Sequence, residues 1–430
     1  MDCEKLGFLS IDREDYQEAI NIFKRALVKK KTSKLLLGLG IANYKLEDYE
    51  TARWAFCKAL EFEPDNKDAI NYIYIIDSQK KQIPFSQKKS IFRANKDYLE
   101  IQDGKWKKIF IKGINIGLGL PGYFPGEYPI KKGTYLKWFE QITKLGANAI
   151  RIYTIHPPSF YEALYQFNNE LGRKLYRFQG IWAELPKDND FYNADYITDV
   201  KVNIKYAVDV VFGNAYLSEK PGSPYGRYEY DVSAYTVAFI FGREWEPYEV
   251  IAFNSKYNEK EFKGKSLSIN NGTAFEVWLT EMLDYLITYE SERYNSQRPV
   301  TFMNWPTLDP IYHLSEASFV EEIELRRRLG EEISLSDFKF SGIFDDDAVS
   351  IDENKIIINP SFQGGLFASY HVYPYYPDFL RNEPDYENPV FPEAIRYFNY
   401  LKDLNSHYKD IPLLISELWL STRRGITRFH

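Results

Sequence analysis

Between residues 106 and 415 the sequence alternates short apolar segments with longer, helix-capable ones, and few architectures accept that rhythm. The apolar segments read as strands at 106–117, 147–155, 176–183, 237–241, 299–303, 365–370 and 412–415. In the first, Ile109, Ile111 and Gly113 alternate with Phe110 and Lys112 ahead of a Gly/Pro-rich loop. The second is apolar almost throughout, as strands buried on both faces are. Between them, residues 134–145 carry Leu136, Phe139, Ile142 and Leu145 along one stripe and meet a stop at Gly146, which predicts an amphipathic helix. Segments 275–289 and 393–402 read as helices in the same way. Strand and helix exchanged this many times imply a parallel α/β fold.

The commonest enzyme form of that fold is the (β/α)₈ TIM-type barrel, whose chemistry gathers where the strands end. The strand ends here are Asn115; Arg151, Tyr153 and His156; Trp182 and Glu184; Arg243, Glu244 and Glu246; Asn304 and Trp305; His371 and Tyr373; Glu417 and Trp419. Charged and aromatic side chains at the ends of apolar strands are costly to desolvate without purpose. Any one of them is more often a satisfied loop residue; gathered on one rim, they are hard to explain as packing.

The first 80 residues repeat themselves. Tyr16, Ala19, Phe23 and Ala26 recur as Tyr49, Ala52, Phe56 and Ala59, each shifted by 33. Small residues one turn from a large one let a neighbouring helix approach closely, and Pro64 falls where the second helix should stop. This pattern resembles the tetratricopeptide repeat. The resemblance implies an all-α module over residues 1–82, with 68–82 as a capping helix, and a possible groove for a protein partner. Residues 83–104 then read as a linker and 105–430 as the barrel.

Composition narrows the function classes. A net charge of −7 argues against nucleic acid as a partner, since phosphate binding needs a basic face. Cys3 and Cys57 both fall in the repeat region, so neither a disulfide framework nor a cysteine metal site is expected. No apolar run approaches the ~18 residues of a membrane span. The residues after Met1 lack a signal peptide's regions, which gives a cytoplasmic expectation. Aromatic residues make up 17% of the chain, and Tyr and Trp suit sugar rings; AT-rich codon usage accounts for the same bias equally well.

Gly242-Arg243-Glu244-Trp245 after the fourth strand and Ser416-Glu417-Leu418-Trp419 after the seventh resemble the acid/base and nucleophile positions of clan A glycoside hydrolases, the retaining cellulase-like and β-galactosidase-like (β/α)₈ enzymes. Ala149-Ile150-Arg151 is similar to the second-strand arginine that braces the nucleophile. His371-Val372-Tyr373 is similar to a sixth-strand His-x-Tyr, and Trp305 and Trp419 to a sugar platform. The resemblance covers roughly residues 105–425. It implies Glu244 as acid/base, Glu417 as nucleophile, a carbohydrate substrate and no cofactor. Retention needs one carboxylic acid to protonate the leaving oxygen and one carboxylate about 5–5.5 Å away to attack the anomeric carbon.

The sequence departs from that pattern in two places. Arg243 stands where the clan usually has the Asn that contacts a sugar hydroxyl. Glu246 in Trp245-Glu246-Pro247 shares the face of Glu244 and is a second candidate for acid/base; Glu184 is a third carboxylate, read as solvated or substrate-side. Glu417 also lies 13 residues from His430, so the barrel is expected to stop after its seventh strand. That ending motivates the alternative of a non-catalytic protein that binds glycan or a partner. Asp345-Asp346-Asp347 lacks the spacing of a calcium loop, the five histidines form no zinc pattern, and Gly117–Gly122 opens no dinucleotide-binding helix.

Overall fold

The computed structural model describes residues 3–78, 89–124, 126–217, 219–311, 313, 323, 327, 330, 332–334, 350–374, 383, 386 and 392–418. The chain divides into two compact units. One is Met1–Ile83 with Leu118–Pro129 and Asn214–Glu229; the other is Pro84–Gly117, Ile130–Gly213 and Tyr230–His430. The first unit therefore draws on two segments from within the stretch expected to be barrel.

Among the described residues five helices build the first unit: α1 (Cys3–Asp12), α2 (Tyr16–Lys29), α3 (Ser33–Lys45), α4 (Tyr49–Leu60) and α5 (Lys67–Ser78), each packed on its chain neighbour. The expected capping helix is present as α5, and residues 79–82 lie outside the described residues. The sequence repeat is a structural repeat. Asp15 and Asp48 each cap the following helix by accepting from the backbone N–H three residues on. Glu14 and Glu47 before them both sit at φ 62°. Ala19, Phe23, Ala52, Phe56 and Ala59 are fully buried.

Phe23 is clamped between two glycines. A Cβ on Gly7 of α1 would come within 2.5 Å of its ring and one on Gly38 of α3 within 2.3 Å, while Gly40 meets the Phe56 ring at 2.5 Å. The helices approach so closely because these positions have no side chain. The inserted segment 214–229 joins this unit through Tyr216, whose hydroxyl donates to the Leu60 carbonyl at 3.2 Å.

The second unit is built on seven parallel strands: β4 (Gly113–Asn115), β5 (Ala149–Ile152), β6 (Tyr176–Ile181), β7 (Thr236–Phe241), β8 (Val300–Asn304), β9 (Ala368–His371) and β10 (Leu413–Glu417). They pair in chain order. Among the described residues β4 and β10 do not pair with each other, but the Asn115 amide of β4 donates to the Ser416 carbonyl of β10 at 3.2 Å. The sheet is a nearly closed barrel. Helices α6 (Lys132–Lys144), α7 (Pro158–Tyr165), α8 (Ala194–Val211), α9 (Pro247–Lys256), α10 (Ala274–Tyr294) and α11 (Pro392–His407) lie between the strands in sequence. Six of the seven expected strands and all three expected helices occur, with ends shifted by a few residues.

The first expected strand splits. Lys105–Ile109 is β3 of a separate antiparallel sheet with β1 (Phe92–Asn95) and β2 (Tyr98–Asp103), and Gly113–Asn115 alone joins the barrel. Lys105, Lys107 and Lys108 are exposed, which suits an antiparallel ribbon open to solvent and not a strand buried on both faces. Residues 92–103 are consequently no linker. Phe92 and Leu99 are buried with Ala149, Phe178, Ala238, Ile240 and Met303 in one core. No helix among the described residues is long and apolar enough to cross a membrane.

The Phe23 clamp yields a test. Gly38→Ala forces a methyl into an aromatic ring, and overpacking of this kind costs about 1–3 kcal/mol. Chemical denaturation of the isolated substitution should show a lowered midpoint; an unchanged midpoint would mean that Phe23 has room to move.

Candidate active site

Side chains alternate along a strand, so the residues that face the barrel's interior can be counted off. Ala149 on β5 is a core residue, which places Arg151 and then Tyr153 on the same inner face. On β7 the two-residue period puts Gly242 and Glu244 on the face of Ala238 and Ile240, and His371 at the end of β9 shares a face with Tyr373. A register shift after Tyr370 aligns His371 with Glu417 on β10.

These residues meet. Four donors converge on the Glu417 carboxylate. Oε2 accepts from the Tyr153 hydroxyl at 2.7 Å, Asn115 Nδ2 at 3.2 Å and Arg151 Nη1 at 3.4 Å. Oε1 accepts from the Tyr373 hydroxyl at 2.8 Å. The same Tyr373 hydroxyl lies 3.2 Å from Glu244 Oε1, so the 2.8 Å and 3.2 Å contacts bound the separation of the two carboxylate oxygens at about 6 Å. His371 lies between them, with Nδ1 2.6 Å from Glu244 Oε1 and Nε2 3.6 Å from Glu417 Oε2.

Burial dominates the electrostatics. It lowers the basicity of His371, against the hydrogen bond and charge of Glu244 beside it. Burial would raise Glu244, but the hydrogen bonds from His371 and Tyr373 and the charge of Arg151 together hold it below the usual glutamate value. Burial also lowers Arg151, which stacks on the Tyr153 ring at 4.5 Å, and raises the Tyr153 and Tyr373 phenols far out of reach of ionisation. Both phenols therefore act as donors.

A cavity of about 430 Å³ opens beside this cluster, lined by Asn115, Arg151, Tyr153, Ser416 and Glu417 together with apolar residues of β4 and β10. Gly180 on β6 keeps the wall of the site in place. A Cβ there would stand 2.3 Å from the Tyr153 carbonyl oxygen.

Other expected site residues sit elsewhere. Asn304 follows inward-facing Met303 and so points outward, where it is fully buried and donates to the Ile351 carbonyl at 3.0 Å and the Tyr370 hydroxyl at 2.8 Å. His156 is buried against α6, with Nδ1 3.2 Å from the Tyr135 hydroxyl, and burial drives its pKa down to about 3. Trp305 is buried and donates to the Trp245 carbonyl at 2.8 Å. These three hold structure at the places where they stand.

Trp182 and Arg243 pair with each other, the guanidinium carbon 5.2 Å from the ring centroid. Glu246 is half-buried ahead of α9, and burial raises its pKa. Trp419 and Asp345–Asp347 lie outside the described residues. Asn115, expected only as a strand-end residue, is a direct partner of Glu417. No group of His, Cys, Asp and Glu fit to hold a metal ion is present among the described residues.

Comparison with known proteins adds little to the site. No family model matches the chain. A stretch of 78 residues is 35% identical to a protein named CTR9 homolog from Arabidopsis thaliana, covering 17% of this chain and 7% of that protein's length.

The His371 contact is testable by itself. His371→Phe removes the leading influence that lowers Glu244, so the Glu244 carboxyl should titrate at higher pH than in the parent, read by carbon NMR of the labelled side chain. An unmoved titration would assign the lowering to Tyr373 and Arg151 instead.

Proposed function

We propose that this chain is a retaining β-glycoside hydrolase or transglycosidase of the clan A type, acting on an oligo- or polysaccharide. The observation that supports it most is the meeting of Glu244 and Glu417, 173 positions apart in sequence, on one tyrosine hydroxyl. A separation bounded at about 6 Å fits the spacing for direct attack and leaves little of the room a water molecule needs in the inverting arrangement.

In the first step Glu417 attacks the anomeric carbon, forming an ester bond to the sugar as the glycosidic C–O bond breaks. The proton of Glu244 passes to the departing oxygen. In the second step Glu244 takes a proton from water or an acceptor hydroxyl, whose oxygen attacks the same carbon and releases Glu417. Arg151, Tyr153, Asn115 and Tyr373 orient the nucleophile by their hydrogen bonds. His371 and Tyr373 position the acid/base. Glu244, in direct contact with this machinery, fits the acid/base role better than Glu246.

Glu244→Gln should lower turnover of an unactivated β-glycoside by about 10²–10⁴-fold. Glu417→Gln should abolish hydrolysis of an activated aryl β-glycoside as well, because no covalent intermediate forms. Full activity in Glu417→Gln would overturn the assignment. Because neighbours hold Glu244 below the ordinary glutamate value, and the first step needs its proton, kcat/KM should fall as pH rises through that lowered pKa. The profile is therefore expected to lie on the acid side; a plateau extending to neutral pH would assign the acid to another group, Glu246 first.

The helices of the first unit support a second role. Their 33-residue structural repeat, paired caps and paired glutamates at positive φ fit tetratricopeptide-like packing. We infer a protein-binding module there, which is compatible with catalysis in the other unit.

A further inference from the structure

Glu417 faces the barrel interior, although the alternation of its own strand would send it outward. On β10, Leu414 packs on the interior core, while Leu413 and Ile415 pack with Ala368, Tyr370 and Val372 in the outer core shared with α11. Counted on by twos, Glu417 belongs to the outer set. Its carboxylate nevertheless meets Arg151, Tyr153 and Tyr373 inside. A bulge at Ser416 resolves the conflict. Tyr370 pairs with Ile415 and His371 with Glu417, so one step along β9 matches two along β10, and Ser416 stands opposite no residue of β9. One extra residue in a strand reverses the alternation beyond it.

Ser416 is held on both sides of that bulge. Its hydroxyl accepts from the Ser369 hydroxyl at 2.8 Å and donates to the Tyr370 carbonyl at 3.2 Å, at the step where the ladder slips. Its own carbonyl accepts from the Asn115 amide across the seam. Ser369 is fully buried and, two residues before His371, lies on the inner face of β9. Beyond the bulge the pairing resumes, with the Val372 N–H donating to the Glu417 carbonyl at 3.0 Å. A slipped ladder leaves backbone groups in need of partners, and a hydroxyl placed at the slip supplies one. Among the described residues neither serine hydroxyl bonds to Glu417, Glu244 or His371, so the pair acts through the backbone.

We propose that Ser369 and Ser416 are positioning residues for the nucleophile: their hydroxyl relay onto the Tyr370 carbonyl locks the bulge, and the bulge aims Glu417 at Tyr373 and Arg151. Without the lock, the regular register with Ser416 opposite His371 competes with the bulge and carries Glu417 away from Tyr373. The effect on rate rests on the glycosidase reading above; the direction in which the carboxylate points does not.

The test compares the full chain with Ser416→Ala, Ser369→Ala and Ser416→Thr, each checked for folding by thermal melting. Crystal structures give the first readout. In the alanine variants the Glu417 carboxylate should leave Tyr373, and in Ser416→Thr, which keeps the hydroxyl, it should stay. A Glu417 still seated on Tyr373 and Arg151 in both alanine variants overturns the inference. Turnover of an activated aryl β-glycoside gives the second readout. Ser416→Ala should lower kcat about ten- to hundredfold, as a misplaced reacting group does, with KM changed by less than about twofold. Ser416→Thr should restore most of that loss. An equal loss in Ser416→Thr, or a change in KM alone, overturns the inference and leaves the glycosidase reading standing. A parent that cleaves no glycoside sinks the glycosidase reading, and the crystal structures then decide the inference by themselves. Should Ser416→Ala fail to fold, Ser369→Ala carries both readouts; unfolding of both overturns the inference, since the pair would then hold the fold and not the aim.

Discussion

The barrel's first and last strands are joined by a side chain, and much of the site depends on that joint. Asn115 spends its amide on the Ser416 carbonyl and on the Glu417 carboxylate, both at 3.2 Å. One group thus spans a seam that the backbone ladder leaves open and fixes the acid at the end of β10. Both contacts are part-buried, so they hold the seam where the backbone ladder does not. Fold and site are therefore held by the same atoms.

From that joint the cluster spreads by shared partners. Tyr373 has one proton to divide between two carboxylates, and His371 stands within 4 Å of both. Arg151 and Tyr153 complete the ring around Glu417. Such a network is stiff, since moving one member unsatisfies several others. The helical unit is stiff for a different reason: Phe23 and Phe56 press on glycines, so shape rather than polarity fixes its helix spacing.

Much of this was legible in the sequence, and the exceptions have physical causes. Six of the seven strands could be read because buried parallel strands are apolar on both faces. Arg151, Tyr153, Glu244, His371, Tyr373 and Glu417 could be found as strand-end residues, and they do converge. Asn304 and His156 were strand-end residues too, but position along the chain says nothing about which way a side chain points. Parity separates them: Met303 faces inward, so Asn304 faces the outer layer. The three-stranded sheet at 92–109 was hidden because its lysine-rich strand runs almost directly into β4. Arg243 was visible as a departure; its stacking on Trp182 joins two strand ends 61 residues apart and needs coordinates to see.

Gly180 gives the site an unusual kind of fragility. Nothing about it is reactive, yet its missing side chain lets β6 pass against the carbonyls of Ile152 and Tyr153, the residue whose hydroxyl reaches Glu417. Any larger residue would lever that strand end sideways while leaving every reacting group present. Selection on chemistry would then act on a position that takes no part in it. A random search for altered catalysts in this scaffold would find that the wall is harder to rewrite than the rim.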